Sequence, residues 1–228
     1  MKLSIIVPVY DERNTIQEIL RRVRAVDIGE IAKEIIVVDD GSTDGTPDIL
    51  KLEEDSTTRV LSHDFNQGKG ASVRTALPHV TGDYVIIQDG DLEYDPDDYR
   101  LMLAPILKKK AEVVYGSRFT GEHRDMLFWH MQGNKFLSLV TNILYNTTLS
   151  DMETCYKLFS RESLEGIRIK SNRFDFEPEI TAKILKKKIR IYEVPISYAG
   201  REYDEGKKIT WKDGVFALWA LIKYRFVN

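Results

Sequence analysis

A lone cysteine, Cys155, stands in a chain of 228 residues. That excludes an internal disulfide and any zinc site built on several thiolates, and it suits a reducing compartment. Long apolar runs are missing too. The N-terminal run Leu3–Val9 is broken by Pro8 and is too short for the core of a secretory leader. The longest uncharged stretch, Phe136–Ser150, holds three threonines and two asparagines. It falls short of the ~18–20 residues that cross a bilayer. Neither sign of charge dominates: 33 Lys and Arg face 36 Asp and Glu, a net charge of -3. That balance argues against a general nucleic-acid binder. There is no internal repeat and no low-complexity tract. What remains, 43% hydrophobic and 30% charged residues, is the composition of a globular domain.

The first hundred residues alternate between two periodicities. Leu3–Val9, Glu34–Val38, Arg59–Ser62 and Tyr84–Gln88 are short β-branched or apolar runs suited to buried strands, and Val113–Tyr115 adds a fifth. Between them lie helical stripes: Ile16, Ile19, Leu20 and Val23 after a cap at Asn14, then Thr46–Leu52 with Pro47 in its first turn, then Ala71–Leu77. Such alternation predicts a mostly parallel, Rossmann-like sheet flanked by helices, with ligands bound beyond the carboxyl ends of the strands. Polar residues collect at those ends: Tyr10-Asp11-Glu12, Asp39-Asp40, Asn66, Asp89 and Asp91, Arg118. Further on, the sequence predicts helices over 125–146, 177–188 and 211–226, and an edge strand over 189–198 interrupted by Pro195.

Asp89-Gly90-Asp91 directly follows an apolar strand. Two carboxylates one residue apart can share a divalent cation, and hard oxygen donors suit Mg²⁺ or Mn²⁺. Glu93 is a further candidate ligand. Gly90 would let the backbone approach a ligand closely. An EF-hand fails in both available registers, because Tyr94 stands where glycine is needed and Lys51 where glutamate is needed. Neither a Walker A loop nor a Gly-x-Gly-x-x-Gly turn is present.

Four segments in order carry a resemblance: Ile5–Glu12, Val37–Thr46, Asn66–Gly70 and Asp89–Asp91. Together they resemble family 2 glycosyltransferases of the GT-A fold. Gly116–Phe119, Asp151–Lys157, Phe176-Glu177 and Glu193–Ile196 are similar to the dolichyl-phosphate mannosyltransferase branch, which includes polyprenyl-phosphate glycosyltransferases. The resemblance implies one catalytic domain over 1–228, with a donor and metal half (1–118) and an acceptor half (119–228) bearing amphipathic helices. It implies inverting, metal-dependent transfer of a hexose from a nucleotide-diphosphate sugar of the GDP-mannose or UDP-glucose type to a polyprenyl phosphate. Val7, Pro8, Tyr10, Glu12, Asp39 and Lys69 would line the donor pocket with Asp89 and Asp91. The metal, Mg²⁺ or Mn²⁺, would sit on Asp89, Asp91 and Glu93. The family usually has Ala and Gln where Gly90 and Glu93 stand here.

Departure of the diphosphate loads negative charge that Asp89- and Asp91-bound metal and Arg118 would stabilise. A phosphate monoester acceptor, with a second pKa of about 6, is already mostly dianionic at neutral pH and needs no strong base. A hydroxyl acceptor would need one, with Asp151 and Glu153 as candidates; their other reading is to orient basic side chains or cap a helix. Arg118, Arg124, Arg201, Lys207 and Lys208 are candidate phosphate partners, and 200–208 is expected to close over the diphosphate. Trp129, Trp211 and Trp219 with neighbouring aromatics suit a membrane interface, the alternatives being closure of the hydrophobic core or a homodimer contact. The expected location is cytoplasmic, peripheral on the cytoplasmic face of the membrane, with no nucleic acid as partner. The competing readings are a sugar-phosphate nucleotidyltransferase, disfavoured because no Gly-rich loop follows the first strand, and a non-catalytic nucleotide-sugar-binding protein.

The small net charge divides unevenly. Residues 1–100 hold 11 Lys and Arg against 21 Asp and Glu, and residues 101–228 hold 22 against 15. An acidic half is joined to a basic half, and the basic half is where an anionic partner would be met.

Overall fold

The computed structural model describes residues 1–201 and 211–227. Strand β1 (Lys2–Val9) is buried along nearly its whole length. It pairs in parallel with β2 (Ala32–Asp39) on one side and β4 (Tyr84–Ile87) on the other. β3 (Thr58–Ser62) extends the sheet beyond β2. The full order is β3-β2-β1-β4-β6-β5-β7, where β5 is Val113–Ser117, β6 Lys157–Ser160 and β7 Ile191–Pro195. β6 runs antiparallel to both β4 and β5, and β7 lies parallel to β5 at the edge. The sheet is therefore mostly parallel, and Pro195 sits where an edge strand tolerates it.

The crossover helices are α1 (Ile16–Ala25), α2 (Thr46–Glu53), α3 (Lys69–Ala76) and α4 (Tyr99–Leu107). α1 buries the expected stripe Ile16, Ile19, Leu20 and Val23. Its start differs from expectation. Thr15 rather than Asn14 occupies the cap position and makes no side-chain cap, and the first turn closes on the carbonyl of Glu12 instead. Some elements escape a sequence reading. α4 contains Pro105, and β6 is only four residues long and opens with Lys157. Lys157 is nonetheless fully buried: its ammonium donates to the carbonyls of Met152 and Thr154 and lies over the Tyr115 ring.

The second half closes with α5 (Phe128–Tyr145), the short α6 (Arg161–Leu164), α7 (Phe176–Lys186) and α8 (Trp211–Phe226). α8 buries Ala217, Ala220, Leu221 and Tyr224 and turns Phe216, Trp219 and Phe226 outward. The Tyr145 hydroxyl donates to the Leu221 carbonyl and ties α8 to α5. From β1 the chain order runs outward to β2 and β3, then returns to β4 on the opposite side. The space beyond the carboxyl ends of β1 and β4 is thus the switch point where sheets of this kind bind ligands.

Candidate active site

A cavity of about 1000 Å³ opens at that switch point. Pro8, Tyr10 and Glu12 reach it from the end of β1, Asp89, Asp91 and Glu93 from the turn after β4, Lys69 from the start of α3 and Arg118 from the end of β5. Arg124 and Arg201 line it as well. Its far side is apolar, formed by Trp129, Met131 and Phe136 of α5 and Val215 and Leu218 of α8.

The turns that build this edge are held by carboxylates. Asp40 accepts from the backbone N–H groups of Gln67 (2.9 Å) and Gly68 (2.7 Å), and its Oδ1 lies 2.7 Å from His63 Nδ1. Those contacts set the Asn66–Gly70 turn. Gly68 has φ +101°, and a Cβ there would lie 2.4 Å from the Asn172 carbonyl oxygen, so only glycine fits. Gly90 is different. Its φ is not positive, and a methyl would meet Val9 Cγ2 at 3.2 Å, so the turn does not depend on glycine for its backbone.

Lys69 Nζ lies 2.7 Å from Asp89 Oδ1 and 2.9 Å from Glu177 Oε1. Burial favours the neutral amine, but the charges of Asp89 and Glu177 overcome it and hold Lys69 well above its ordinary pKa. On the other wall, Arg118 forms a two-point pair with Asp151: Nε to Oδ2 and Nη2 to Oδ1, both 2.7 Å. Its backbone N–H also donates to Asp151 Oδ2 at 3.0 Å. Asp151 is fully buried and does not line the cavity. Glu193 fixes it in turn, accepting from the N–H groups of Ser150 (2.9 Å) and Asp151 (3.1 Å). Asp151 thus orients a basic side chain, one of the readings expected for it.

Arg201 gathers three carboxylates. Its guanidinium contacts Glu12 Oε2 (3.1 Å), Asp91 Oδ2 (2.5 Å) and Glu93 Oε1 (3.1 Å). Glu93 also accepts from the Tyr198 hydroxyl at 2.7 Å and from the Arg201 N–H at 3.1 Å. Glu93 therefore anchors the segment around Tyr198 to Arg201 here. Burial, then the charges of Asp89 and Glu93, push the Asp91 carboxyl up to about 8 despite Arg201. This is a carboxylate set with too little positive charge, already holding one cationic side chain. Its hard oxygens fit a divalent ion. Among the described residues no three His, Cys, Asp or Glu side chains are arranged to hold a metal by themselves. Ligand phosphate oxygens and water would complete the shell, as is usual for Mg²⁺.

Two expected donor-pocket residues do not line the cavity. Val7 is fully buried inside the sheet, and Asp39 turns its Oδ1 to the Ser42 N–H, 3.2 Å away. Asp40 is the carboxylate that reaches the cavity. Lys207 and Lys208, with most of the expected closing segment, lie outside the described residues. Glu177 and Glu193 escape prediction as partners of Lys69 and of the Asp151 turn. The only signal for them was that both fall in motifs carrying the resemblance.

The architecture has solved counterparts. Over its whole length the chain superposes on glucosyl-3-phosphoglycerate synthase from Mycobacterium tuberculosis in complex with Mn²⁺, UDP and glucosyl-3-phosphoglycerate, with a TM-score of 0.76 at 19% identity. The alignment covers 100% of this chain and 81% of that one. The same enzyme with Mg²⁺ and UDP gives a TM-score of 0.74. The fold is thus GT-A, the class of nucleotide-sugar transferases. Within that class, residues 4–168 match glycosyl transferase family 2, and the chain belongs to this family.

The low-salt glycan biosynthesis hexosyltransferase Agl6 of Haloferax volcanii is 29% identical over 99% of this chain and 53% of its own length. Glycosyltransferase AglJ of the same organism is 30% identical over 87% of this chain and 63% of its own. The undecaprenyl-phosphate 4-deoxy-4-formamido-L-arabinose transferase of Salmonella paratyphi A is 26% identical over 90% and 62%. The chain spans about half to two thirds of the length of these relatives.

Proposed function

We propose that the domain transfers a hexose, with inversion, from a nucleotide-diphosphate sugar to a polyprenyl phosphate at a membrane surface. The observation that carries this reading is the two-sided cavity. One wall holds carboxylates, Lys69 and Arg118; the other is apolar and continues onto exposed faces of α5 and α8. A nucleotide-sugar suits the first wall and a lipid tail the second.

Pro8, Tyr10 and Asp40 receive the nucleoside end. Asp89 and Asp91 hold a divalent metal, which when bound neutralises charge on the departing diphosphate. Glu12 and Glu93 hold Arg201 beside that place, where its guanidinium can meet phosphate oxygens. Arg118, locked in direction by Asp151, faces the cavity between the two walls, and Arg124 adds a second cation at the mouth. Asp151 is committed to Arg118, and burial with the charge of Glu177 pushes the Glu153 carboxyl up to about 8, so neither candidate base is a ready carboxylate at neutral pH and a phosphate acceptor fits better than a hydroxyl. The outward residues Trp129, Phe136, Leu139 and Ile143 of α5 recur at helical spacing, as do Phe216, Trp219 and Phe226 of α8. These faces suit contact with a membrane surface, and no helix of the described residues is long and apolar enough to cross a membrane.

The test is a screen of radiolabelled UDP-glucose and GDP-mannose with a short polyprenyl phosphate and Mn²⁺ or Mg²⁺. Expected is a lipid product released by mild acid. Label appearing only on a hydroxyl acceptor, or none at all, refutes the lipid-phosphate reading.

A further inference from the structure

Lys69, Arg118 and Arg201 reach the cavity with carboxylates already on them. Arg173 lines the cavity too, but it is exposed, and its guanidinium has no partner among the described residues. That free head stands on a fixed main chain. The Asn172 carbonyl accepts from the Ala71 N–H at 3.0 Å, and Arg74 donates to the Ser171 carbonyl (3.3 Å) and to Asn172 Oδ1 (2.8 Å). The Arg173 N–H donates to Asp175 Oδ1 at 3.1 Å. The Arg173 stem then crosses Gly68, where a Cβ would lie 2.9 Å from Arg173 Cγ. Meeting a ligand therefore requires no further ordering of the main chain here, which lowers the cost of binding. Position decides which part of the ligand is met. Gly68 belongs to the turn held by Asp40 at the end of β2, whereas Asp89 and Asp91 follow β4 and Arg118 follows β5, further along the sheet. With a diphosphate at Asp89 and Asp91, the β2 side receives the base. The carboxylates that could accept from a base N–H are engaged there. Asp40 holds the Gln67 and Gly68 N–H groups and His63, and Asp39 holds the Ser42 N–H away from the cavity. The uncommitted charged group on this side is a donor, the Arg173 fork.

We propose that Arg173 is a specificity residue that reads the nucleobase of the donor, selecting an oxo base, uracil or guanine, over its amino counterpart, cytosine or adenine. This rests on the glycosyltransferase reading above and adds the residue that would choose the nucleotide. A guanidinium carries five N–H donors and no acceptor. It pairs with uracil O4 or guanine O6, but it meets the exocyclic amino group of cytosine or adenine donor to donor and leaves both unpaired.

Calorimetry on the full chain with Mn²⁺ tests it. UDP, CDP, GDP and ADP are titrated into the wild type and Arg173→Met, which keeps the stem over Gly68 and removes the fork. Comparison is made within one ring size, UDP against CDP and GDP against ADP, in whichever size binds. The wild type should favour the oxo member by about tenfold or more, the discrimination usual for arginine on a base edge. Arg173→Met should cut that ratio by about tenfold by weakening the oxo member, with the amino member held within about twofold. Because Arg173 is exposed, the variant should keep the wild-type Tm, which thermal unfolding checks. A wild type without preference for the oxo member overturns the proposal and needs no variant to do so. An unchanged ratio in Arg173→Met also overturns it. So does an equal loss for both members, which would assign the guanidinium to the diphosphate. Each of these results leaves the glycosyltransferase reading standing. Failure of all four nucleotides to bind the wild type removes both.

Discussion

The acidic first hundred residues and the basic remainder solve their surfaces differently. In the first region, carboxylates at the strand ends are bound inward. Asp40 shapes the Asn66–Gly70 turn, Asp89 holds Lys69, and Glu12, Asp91 and Glu93 share Arg201 from the other region. Among the described residues its exposed large apolar side chains are only Met1, Leu52 and Phe65. The second region closes two sets of buried charges within itself, Arg118 with Asp151 and Lys183 with Glu179, and leaves helix faces apolar and exposed. One region exposes few large apolar side chains, while the other exposes them along α5 and α8. The cavity lies where the two meet, so each cavity wall inherits the chemistry of its own region.

Breaking a closed pair of the second region should have the largest effect. Arg118→Met leaves Asp151 buried and uncompensated, a cost of about 3–5 kcal/mol. Urea unfolding should report it. The double variant Arg118→Met with Asp151→Asn should recover most of that stability and none of the transfer activity. Recovery of transfer would show that Arg118 serves only the fold.

Asp91 should behave in the opposite way. Its carboxyl is already strained by burial and by Asp89 and Glu93. Asp91→Asn should lower transfer by about 10²–10³-fold, the usual range for losing one electrostatic stabiliser. In metal-free buffer its Tm should not fall. A Tm drop of many degrees with transfer intact would reverse the contrast between the two regions.

Next comes the apolar face. Ile143, Trp219 and Phe226 are 72%, 62% and 80% exposed and line no part of the cavity. Replacing all three by serine should weaken binding to anionic liposomes by about 10²-fold or more, given the apolar area removed. Folding stability should shift by no more than about 0.5 kcal/mol per site, as for other exposed positions. Flotation and thermal unfolding on one preparation read both. Undiminished flotation, or a switch from dimer to monomer, would give the face to a second copy instead.

These contrasts also explain what the sequence could reveal. Parallel strands buried on both faces announce themselves as apolar runs, and the turns after them carry the motifs, so Asp89, Asp91 and Arg118 were legible from local pattern, while Lys69 came only through the family resemblance. Pairing was not. Arg201 and Glu12 are 189 positions apart, and nothing local in either segment announces the contact. Glu177 and Glu193 act by holding other side chains and have no periodic signature. β6 escaped because its first residue is a lysine whose charge is satisfied by main-chain carbonyls rather than by solvent. Val7 and Asp39 sit within motifs that reach the cavity, but Val7 is fully buried two residues back from the strand end and Asp39 accepts from the Ser42 N–H.

The smallest effect tests the claim that acidic residues of the first region are structural clamps away from the cavity. Glu34 joins three strand ends. It accepts from Thr81 N–H at 2.7 Å, from Gly82 N–H at 3.1 Å and from the Ser4 hydroxyl, and it pairs with Lys2. Although burial opposes its charge, those donors, Lys2 and Ser4 foremost, bring its pKa down from 4.5 to about 2. A carboxylate depressed on folding contributes stability that is present above its unfolded pKa and lost as pH falls through the folded one. The window here is therefore pH 4.5 down to about 2. With solvent reaching Lys2, the contribution at neutral pH is about 1 kcal/mol. Glu34→Gln should lower Tm at pH 7 and lose that deficit relative to wild type as the pH approaches 2, with nucleotide affinity unchanged at pH 7. A deficit that stays constant between pH 7 and pH 2 would mean that Glu34 acts through shape alone, and that the charge of the acidic region is concentrated, in energetic terms, at the cavity.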